Sequence, residues 1–379
     1  MAKKVLHSEL CEMVSVKYPI IQAGMGPFST NQLAAAAANA GVLGIISTSG
    51  YAMLGRPPAW MTTGEAQVAK TLTDGKGGTW QEQLKRALHR VKEQTRETKG
   101  IFGINCMVSS EMFTYAREVI KTTIEARNED AEMRKRLRVI ITSAGDPLPW
   151  TDIIKSSGVK WFHVVPSVRH AKRAELAGVD AVIASGHEGG GHVAWESVHS
   201  MVLLPAIVRA VHTPVIGAGG FGNGASLAAA LALGAIGVQM GTRFLATKES
   251  DFQQVHKDYI VKSGERDTIV ARGVVGPLRW IKNEAAMEFA RLTVSKAPGV
   301  YLGEPQDLAD VAREVRAKEN EGWDAQYRGD GPKALMPGGE VVGLVDDIPT
   351  VKELVERIVR EAEQIIESLP QRFLRESPA

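Results

Sequence analysis

Short, wholly apolar runs alternate with amphipathic stretches from Tyr18 to Thr242. YPIIQAG reads as a buried strand, and NQLAAAAANA after it as an Ala-rich helix closed by Gly41. GVLGIIST reads as the second strand, followed by a helix near Gln81 to Thr95. GIFGINCM is the third, followed by a charged helix from about Ser110 to Arg138. RVIITSAG, WFHVVPS and DAVIASG are strands four to six. The helices after them are TDIIKSSG, VRHAKRAELAG and, beyond a Gly-rich loop, SVHSMVLLPAIVRAV. TPVIGAGG with its helix GASLAAALALG, then IGVQMGT, complete eight β-then-α units. Strands without polar alternation belong to a parallel sheet covered on both faces. Eight such units predict an α/β protein with a closed (β/α)8 barrel; a doubly wound open sheet is the competing architecture.

Beyond Thr242 the pattern loosens and charge increases. Residues 246–339 read as an inserted, mostly helical subdomain, with NEAAMEFARLTV and DLADVAREVRAKENEG as helices. Residues 1–245 and 340–379 then form the barrel. PTVKELVERIVREAEQIIESL has apolar positions at three-and-four spacing and predicts a long terminal helix. The stretch from Tyr51 to Trp80 is a loop long enough to serve as a lid or binding loop.

The composition changes this picture little. With 45 basic and 43 acidic side chains in 379 residues, a net charge of +2 gives no reason to expect nucleic acid or an anionic membrane as partner. Two cysteines, Cys11 and Cys106, exclude a disulfide framework and a Cys-rich metal site. No apolar run has the length of a membrane span, and the amino terminus lacks a secretory core, so a cytoplasmic setting is expected.

The 38 glycines cluster just after apolar runs. In TPVIGAGGFGNG a strand runs into Gly217, Gly219, Gly220 and Gly222, and a helix follows. Glycines let backbone N–H groups approach an anion, and the helix start adds its own. Strand eight ends in Gly241 and Thr242, and the loops after strands seven and eight of such a barrel commonly share a phosphate. Taken alone the glycines make only a tight turn; paired with Gly241 and Thr242 they favour a phosphate site. Gly217, Gly219 and Gly222 also spell a dinucleotide fingerprint. The acidic residue expected about twenty positions on is missing from IGVQMGTRF, and the motif closes the seventh unit rather than opening the first.

ASGHEGGGHVAWES follows strand six, at the end of the barrel where chemistry sits. His187 and His192 flank Glu188 and three glycines; either imidazole suits proton transfer near neutral pH. Their spacing matches no zinc motif, so no metal is expected. Gln22 and Met25 at the end of strand one, Asn105 at the end of strand three, and Thr142 and Ser143 at the end of strand four bind a cofactor edge or only cap strands. His163 and Cys106 read as core residues.

YPIIQAGMG, GINCMV, GHEGGGH, PVIGAGGFGNG and ALGAIGVQMGTRFLATKES occur in that order. Together they resemble the nitronate monooxygenase family of FMN-dependent TIM barrels, and the related flavin-dependent enoyl-ACP reductases share most of them. The resemblance covers roughly Pro19 to Ser250, more weakly ARGVVGPLRWIKNE and PGGEVVGLVDDIPTV. It implies FMN, with the phosphate on Gly219, Gly220, Gly241 and Thr242 and the ring near Ala23, Gly24, Met25 and Asn105. It further implies Ser143, Gly186, Glu188, Gly190, Gly191, Ala218, Gln239 and Met240 as cofactor-binding. His192 matches the family's catalytic histidine, which acts as base toward a nitroalkane carbon or holds the nitronate; the products implied are a carbonyl compound and nitrite. An NAD(P)H-dependent reductase of a quinone or enoyl thioester is the alternative. A small-molecule substrate is expected, with a homodimer left open. Val193, Ala194 and Trp195 depart from the family pattern after the histidine, and Trp195 is expected to narrow or floor the substrate pocket.

Overall fold

The computed structural model describes residues 5–26, 30–53 and 76–375. Most of the Tyr51–Trp80 loop, expected as a lid, lies outside the described residues. The eight sequence-predicted strands are β1 (Ile20–Gln22), β2 (Leu43–Ser47), β3 (Phe102–Met107), β4 (Leu137–Ser143), β5 (Lys160–Val165), β6 (Ala181–Ser185), β8 (Val215–Ala218) and β9 (Val238–Met240). They pair in parallel and in that order, and β1 closes on β9 with Ile21 opposite Gln239. Neighbouring side chains alternate faces. Ile21, Leu43, Ile45, Ile141, Phe162 and Ile183 fill the barrel, whose lower end is plugged by Leu10 and Val14 of the helix Glu9–Val14. Ile20, Ile46, Ile104, Trp161, Val182 and Met240 face outward against the helices.

Glycine brings helix and strand together at one point of that outer layer. A Cβ on Gly44 of β2 would lie 2.0 Å from the carbonyl oxygen of Ala34 in the helix Asn31–Asn39. Backbone atoms cannot yield as a side chain would, so Gly44→Ala is expected to destabilise by about 2 kcal/mol or more. Equilibrium urea unfolding of the variant beside the parent checks this.

Two helices depart from expectation. The charged stretch breaks into Phe113–Asn128 and Ala131–Arg136, because Asp130 caps the second helix by accepting from the backbone N–H of Met133 at 2.6 Å. The helix expected from Ser197 begins only at Ser200. The terminal helix, Val351–Phe373, starts in a Thr350–Glu353 capping box and packs on the helix Gly224–Ala232, where a Cβ on Gly224 would meet the backbone of Ile358.

Residues 246–339 are not only helices. Between Gln254–Lys262 and Glu284–Lys296 lies an antiparallel hairpin, β10 (Thr268–Arg272) and β11 (Pro277–Ile281), turned by Gly273 to Gly276. β11 also pairs with β7 (Gly191–His192), a two-residue strand inside the loop after β6. Leu278 stands opposite His192. The region after β9 therefore stitches itself to the rim by backbone hydrogen bonds.

A glycine-lined cavity at the carboxyl rim

A cavity of about 460 Å³ opens over the carboxyl ends of the strands. Ala23, Gly24 and Met25 after β1, Asn105 at the end of β3 and Ser143 at the end of β4 line one side. A Cβ on Gly24 would stand 2.8 Å from the Cβ of Asn105, so the backbone runs close beneath that side chain. The Ser143 hydroxyl donates to Asn105 Oδ1 at 3.4 Å. Ala144, next in the chain, holds a left-handed φ of 56° and also lines the cavity.

Ala218, Gly219, Gly220, Gln239, Gly241 and Thr242 line the opposite side. Gly219 and Gly220 are consecutive left-handed residues, φ 84° and 80°. Such turns present backbone N–H groups in a concavity that suits an anion. Thr242 Oγ1 accepts from the N–H of Gly339 at 3.0 Å, so residues 337–340 form a strap over this corner. The strap is fixed at several further points: Glu340 N–H donates to Glu188 O, Gly338 N–H to Arg279 O, and Glu340 pairs with Arg279 at 3.0 Å. Behind it His256 is wholly buried, bridging Pro337 O at 2.8 Å and the Gln326 amide at 2.9 Å.

His256 and His163 are both kept neutral by burial, each with its pKa pushed down to about 4. His163 is the core residue expected, its Nδ1 2.7 Å from the Thr142 hydroxyl. The Thr142 hydroxyl is engaged there in the outer layer, accepting also from the Trp161 indole at 2.8 Å. The unfolded chain binds these protons near pH 6.5, the folded chain only near 4. Stability is therefore full above pH 6.5 and falls as the pH drops toward 4. Each histidine is expected to cost about 2 kcal/mol at pH 5. Urea midpoints at pH 7 and pH 5 measure it.

The loop after β6 carries two histidines, and the structure separates them. His192 lines the cavity on β7. Its ring is accessible from the cavity, yet the surrounding protein and the Arg272 guanidinium push its pKa down to about 4. At neutral pH it stands as a neutral imidazole. His187 does not reach the cavity. Its Nδ1 and its carbonyl accept from Arg279 at 3.1 and 2.9 Å. Desolvation, then Arg279, lowers its pKa to about 4. Glu188 lines the cavity, but its carboxylate accepts from the N–H of Ser200 at 2.9 and 3.0 Å and from the Ser200 hydroxyl. It caps the helix Ser200–Val208, which explains the late start of that helix and anchors the loop. Gly190 and Gly191 line the cavity between them, Gly190 pressed against Gly339 and Gly191 at φ 74°.

Three residues singled out in the sequence are not in the cavity lining. Met240 turns its side chain into the outer core, because it alternates with the inward Gln239 on β9. Gly186 lies beneath the cavity, its N–H bonded to Ala218 O and its carbonyl against Gly219. Trp195 does not narrow the cavity; it stacks on Arg272 at 4.9 Å. What sequence reasoning missed is the outer wall. Val274, Val275 and Leu278 of the hairpin and Glu319, Asn320 and Trp323 of the helix Arg313–Arg328 also line the cavity. The alternation in TIVAR and PLRWI around GVVG was the available signal for the hairpin. Among the described residues no cluster of metal-ligating side chains occurs, and no helix is long and apolar enough to cross a membrane.

A closed parallel barrel with a neutral histidine and a glycine cradle at its carboxyl rim defines a barrel enzyme, and comparison with known proteins makes it an oxidoreductase. The chain belongs to the nitronate monooxygenase family, whose model matches residues 7–361. It is 31% identical to a probable nitronate monooxygenase of Staphylococcus aureus, over 75% of this chain and 81% of that protein. It is 29% identical to (3aS,4S,5R,7aS)-5-hydroxy-7a-methyl-1-oxo-octahydro-1H-indene-4-carboxyl-CoA dehydrogenase of Rhodococcus jostii, over 96% of this chain and 98% of that enzyme. The structure of FabK from Thermotoga maritima superposes with a TM-score of 0.76 at 30% identity, covering 97% of this chain and 100% of the other. Membership of this family supports a flavin cofactor.

Proposed function

We propose that this protein is an FMN-dependent oxidoreductase acting on an organic acyl thioester, with His192 exchanging a proton at the carbon next to the thioester carbonyl. The observation that carries this is the outer wall. Val274, Val275, Leu278 and Trp323 face the cavity with apolar surface, and His192 is bonded to the same wall through β7 and β11. A wall of that kind suits a bulky hydrocarbon acyl group beside the base. The match to a CoA dehydrogenase extends through the wall-forming region.

The residues present fit FMN. Gly219 and Gly220, both left-handed, and Gly241 with Thr242 would hold its phosphate; Ala23, Gly24, Met25, Asn105 and Gln239 would lie along its ring, with Ser143, Ala218, Gly190 and Gly191 around it. Bound flavin supplies two-electron exchange with substrate. The protein's own contribution is orientation and a proton acceptor. Asn105, fixed by Ser143, offers a polar edge. His192, neutral, takes a proton from Cα as hydride leaves Cβ, or returns it in the reverse direction. The carbonyl acidifies that carbon, as the nitro group does in a nitroalkane.

Nitronate oxidation by dioxygen is the second reading, favoured by the family description and the staphylococcal relatives. One experiment separates the two. The yellow protein is mixed anaerobically with NADH, NADPH, cyclohexanecarboxyl-CoA and propyl-2-nitronate in turn, and the flavin absorbance is followed. Bleaching by the acyl-CoA, or by a pyridine nucleotide with reoxidation by an enoyl-CoA, supports the thioester reading. Bleaching by the nitronate alone overturns it.

A further inference from the structure

The outer wall of the cavity is apolar except at Glu319 and Asn320. Glu319, on the helix Arg313–Arg328, lines the cavity and is only 8% exposed. Its carboxyl group accepts from the backbone N–H of Val274 and from the indole N–H of Trp323 at 3.2 Å. Both donors belong to residues that line the same cavity, so the group is held in a fixed orientation within the wall. A carboxylate has about four acceptor directions, and two are taken. Burial pushes its pKa up, while the bonds from Val274 and Trp323, and after them Arg272 close by, draw it back down. Arg272 is itself buried, its Nη groups donating to Gly273 O, Val274 O and Gln306 O and its guanidinium stacked on Trp195. No salt bridge joins the two among the described residues.

Packing alone does not call for this arrangement. A buried carboxyl group is costly, and accepting from Val274 N–H and the Trp323 indole uses only about half of its acceptor directions. The chemistry left open is hydrogen bonding to a donor that enters the cavity. Nothing in the glycine cradle or around His192 uses Glu319.

Building on the thioester reading, we infer that Glu319 forms a specificity subsite that recognises a hydroxyl group on the acyl portion of the substrate, on the cavity wall away from the flavin cradle. The natural acyl group is then a hydroxylated hydrocarbon, apolar against Val274, Leu278 and Trp323 and polar at one ring or chain position. A site built to bond a hydroxyl discriminates strongly against the analogue lacking it, because its own polar group is left unpaired.

The test is ligand binding to the flavin-loaded protein, read as the perturbation of flavin absorbance. The probes are 4-hydroxycyclohexanecarboxyl-CoA and cyclohexanecarboxyl-CoA. The parent protein is expected to bind the hydroxylated thioester at least tenfold more tightly. Glu319→Ala is expected to bring that ratio to about one, and Glu319→Gln, used if the first variant does not hold flavin, to a few-fold. A merely structural Glu319 would weaken both ligands in proportion and keep the ratio, which overturns the inference. Equal binding of the two thioesters by the parent overturns it as well and leaves the thioester reading standing. If neither thioester perturbs the flavin, both fall together.

Discussion

His192→Ala is expected to keep its flavin and to lose turnover by a factor of about 10² to 10⁴, the range that positioned proton transfer contributes. The two effects separate because side chain and backbone do different work. The backbone of residue 192 holds β7 to β11 opposite Leu278. Alanine can make the same bonds, so the outer wall stays in place. The side chain projects into the cavity, with its proton affinity lowered by desolvation and by Arg272. Removing it takes away the proton acceptor and little else. The ratio of flavin to protein absorbance and kcat on the substrate identified anaerobically measure both. Turnover at the parental rate would sink the assignment of the base.

The same imidazole fixes the pH profile. A base must be unprotonated, and an ordinary histidine would lose activity below pH 6.5. Here the folded-state value lies at about 4. kcat/KM is therefore expected to stay level from pH 8 down to about 5 and to fall only as the pH approaches 4. An acid limb centred at 6.5 would show that His192 is more solvated than its surroundings imply.

The barrel was legible because its signal is local and repeated. Each strand is a continuous apolar run, and each is followed by a helix long enough to show its own period. The glycine turns at Gly219, Gly220 and Gly241 were legible for the same reason: strand end and turn residue are neighbours in the chain. The antiparallel sheet was not. β7 has only two residues, Gly191 and His192, and shows no alternation; its partner β11 begins at Pro277. No local rule links a two-residue strand to a hairpin so far along the chain. The capping role of Glu188 was hidden as well: its sequence neighbours, Gly189 to Gly191, mark a loop, and its partner Ser200 lies beyond that loop. Glu319 was hidden among Lys318, Glu321 and the other charges of a segment that the sequence marked only as a helix. Only the packing of that helix over the rim turns one of those charges inward.

Gly219→Val is expected to yield a folded protein with little or no bound flavin. The native φ of 84° lies in the left-handed region, which a β-branched residue enters only under strain of about 1–2 kcal/mol. Space is the larger obstacle. A Cβ at this position would stand 2.5 Å from the carbonyl oxygen of Gly186 and 3.0 Å from its N–H nitrogen, both backbone atoms fixed by the end of β6. The turn must open, and the concavity it shares with Gly220 is lost. Gly220→Ala meets nothing nearer than 3.5 Å and differs mainly by its φ of 80°, so it is expected to weaken flavin binding only several-fold. Gly158→Ala supplies the control. Its φ of 67° imposes similar strain with nothing within 4 Å, on the turn after the helix Thr151–Lys155, and it is expected to retain flavin fully. Flavin content after gel filtration, with circular dichroism to confirm folding, orders the three. If Gly219→Val holds flavin as tightly as the Gly158 control, the phosphate does not sit on this turn.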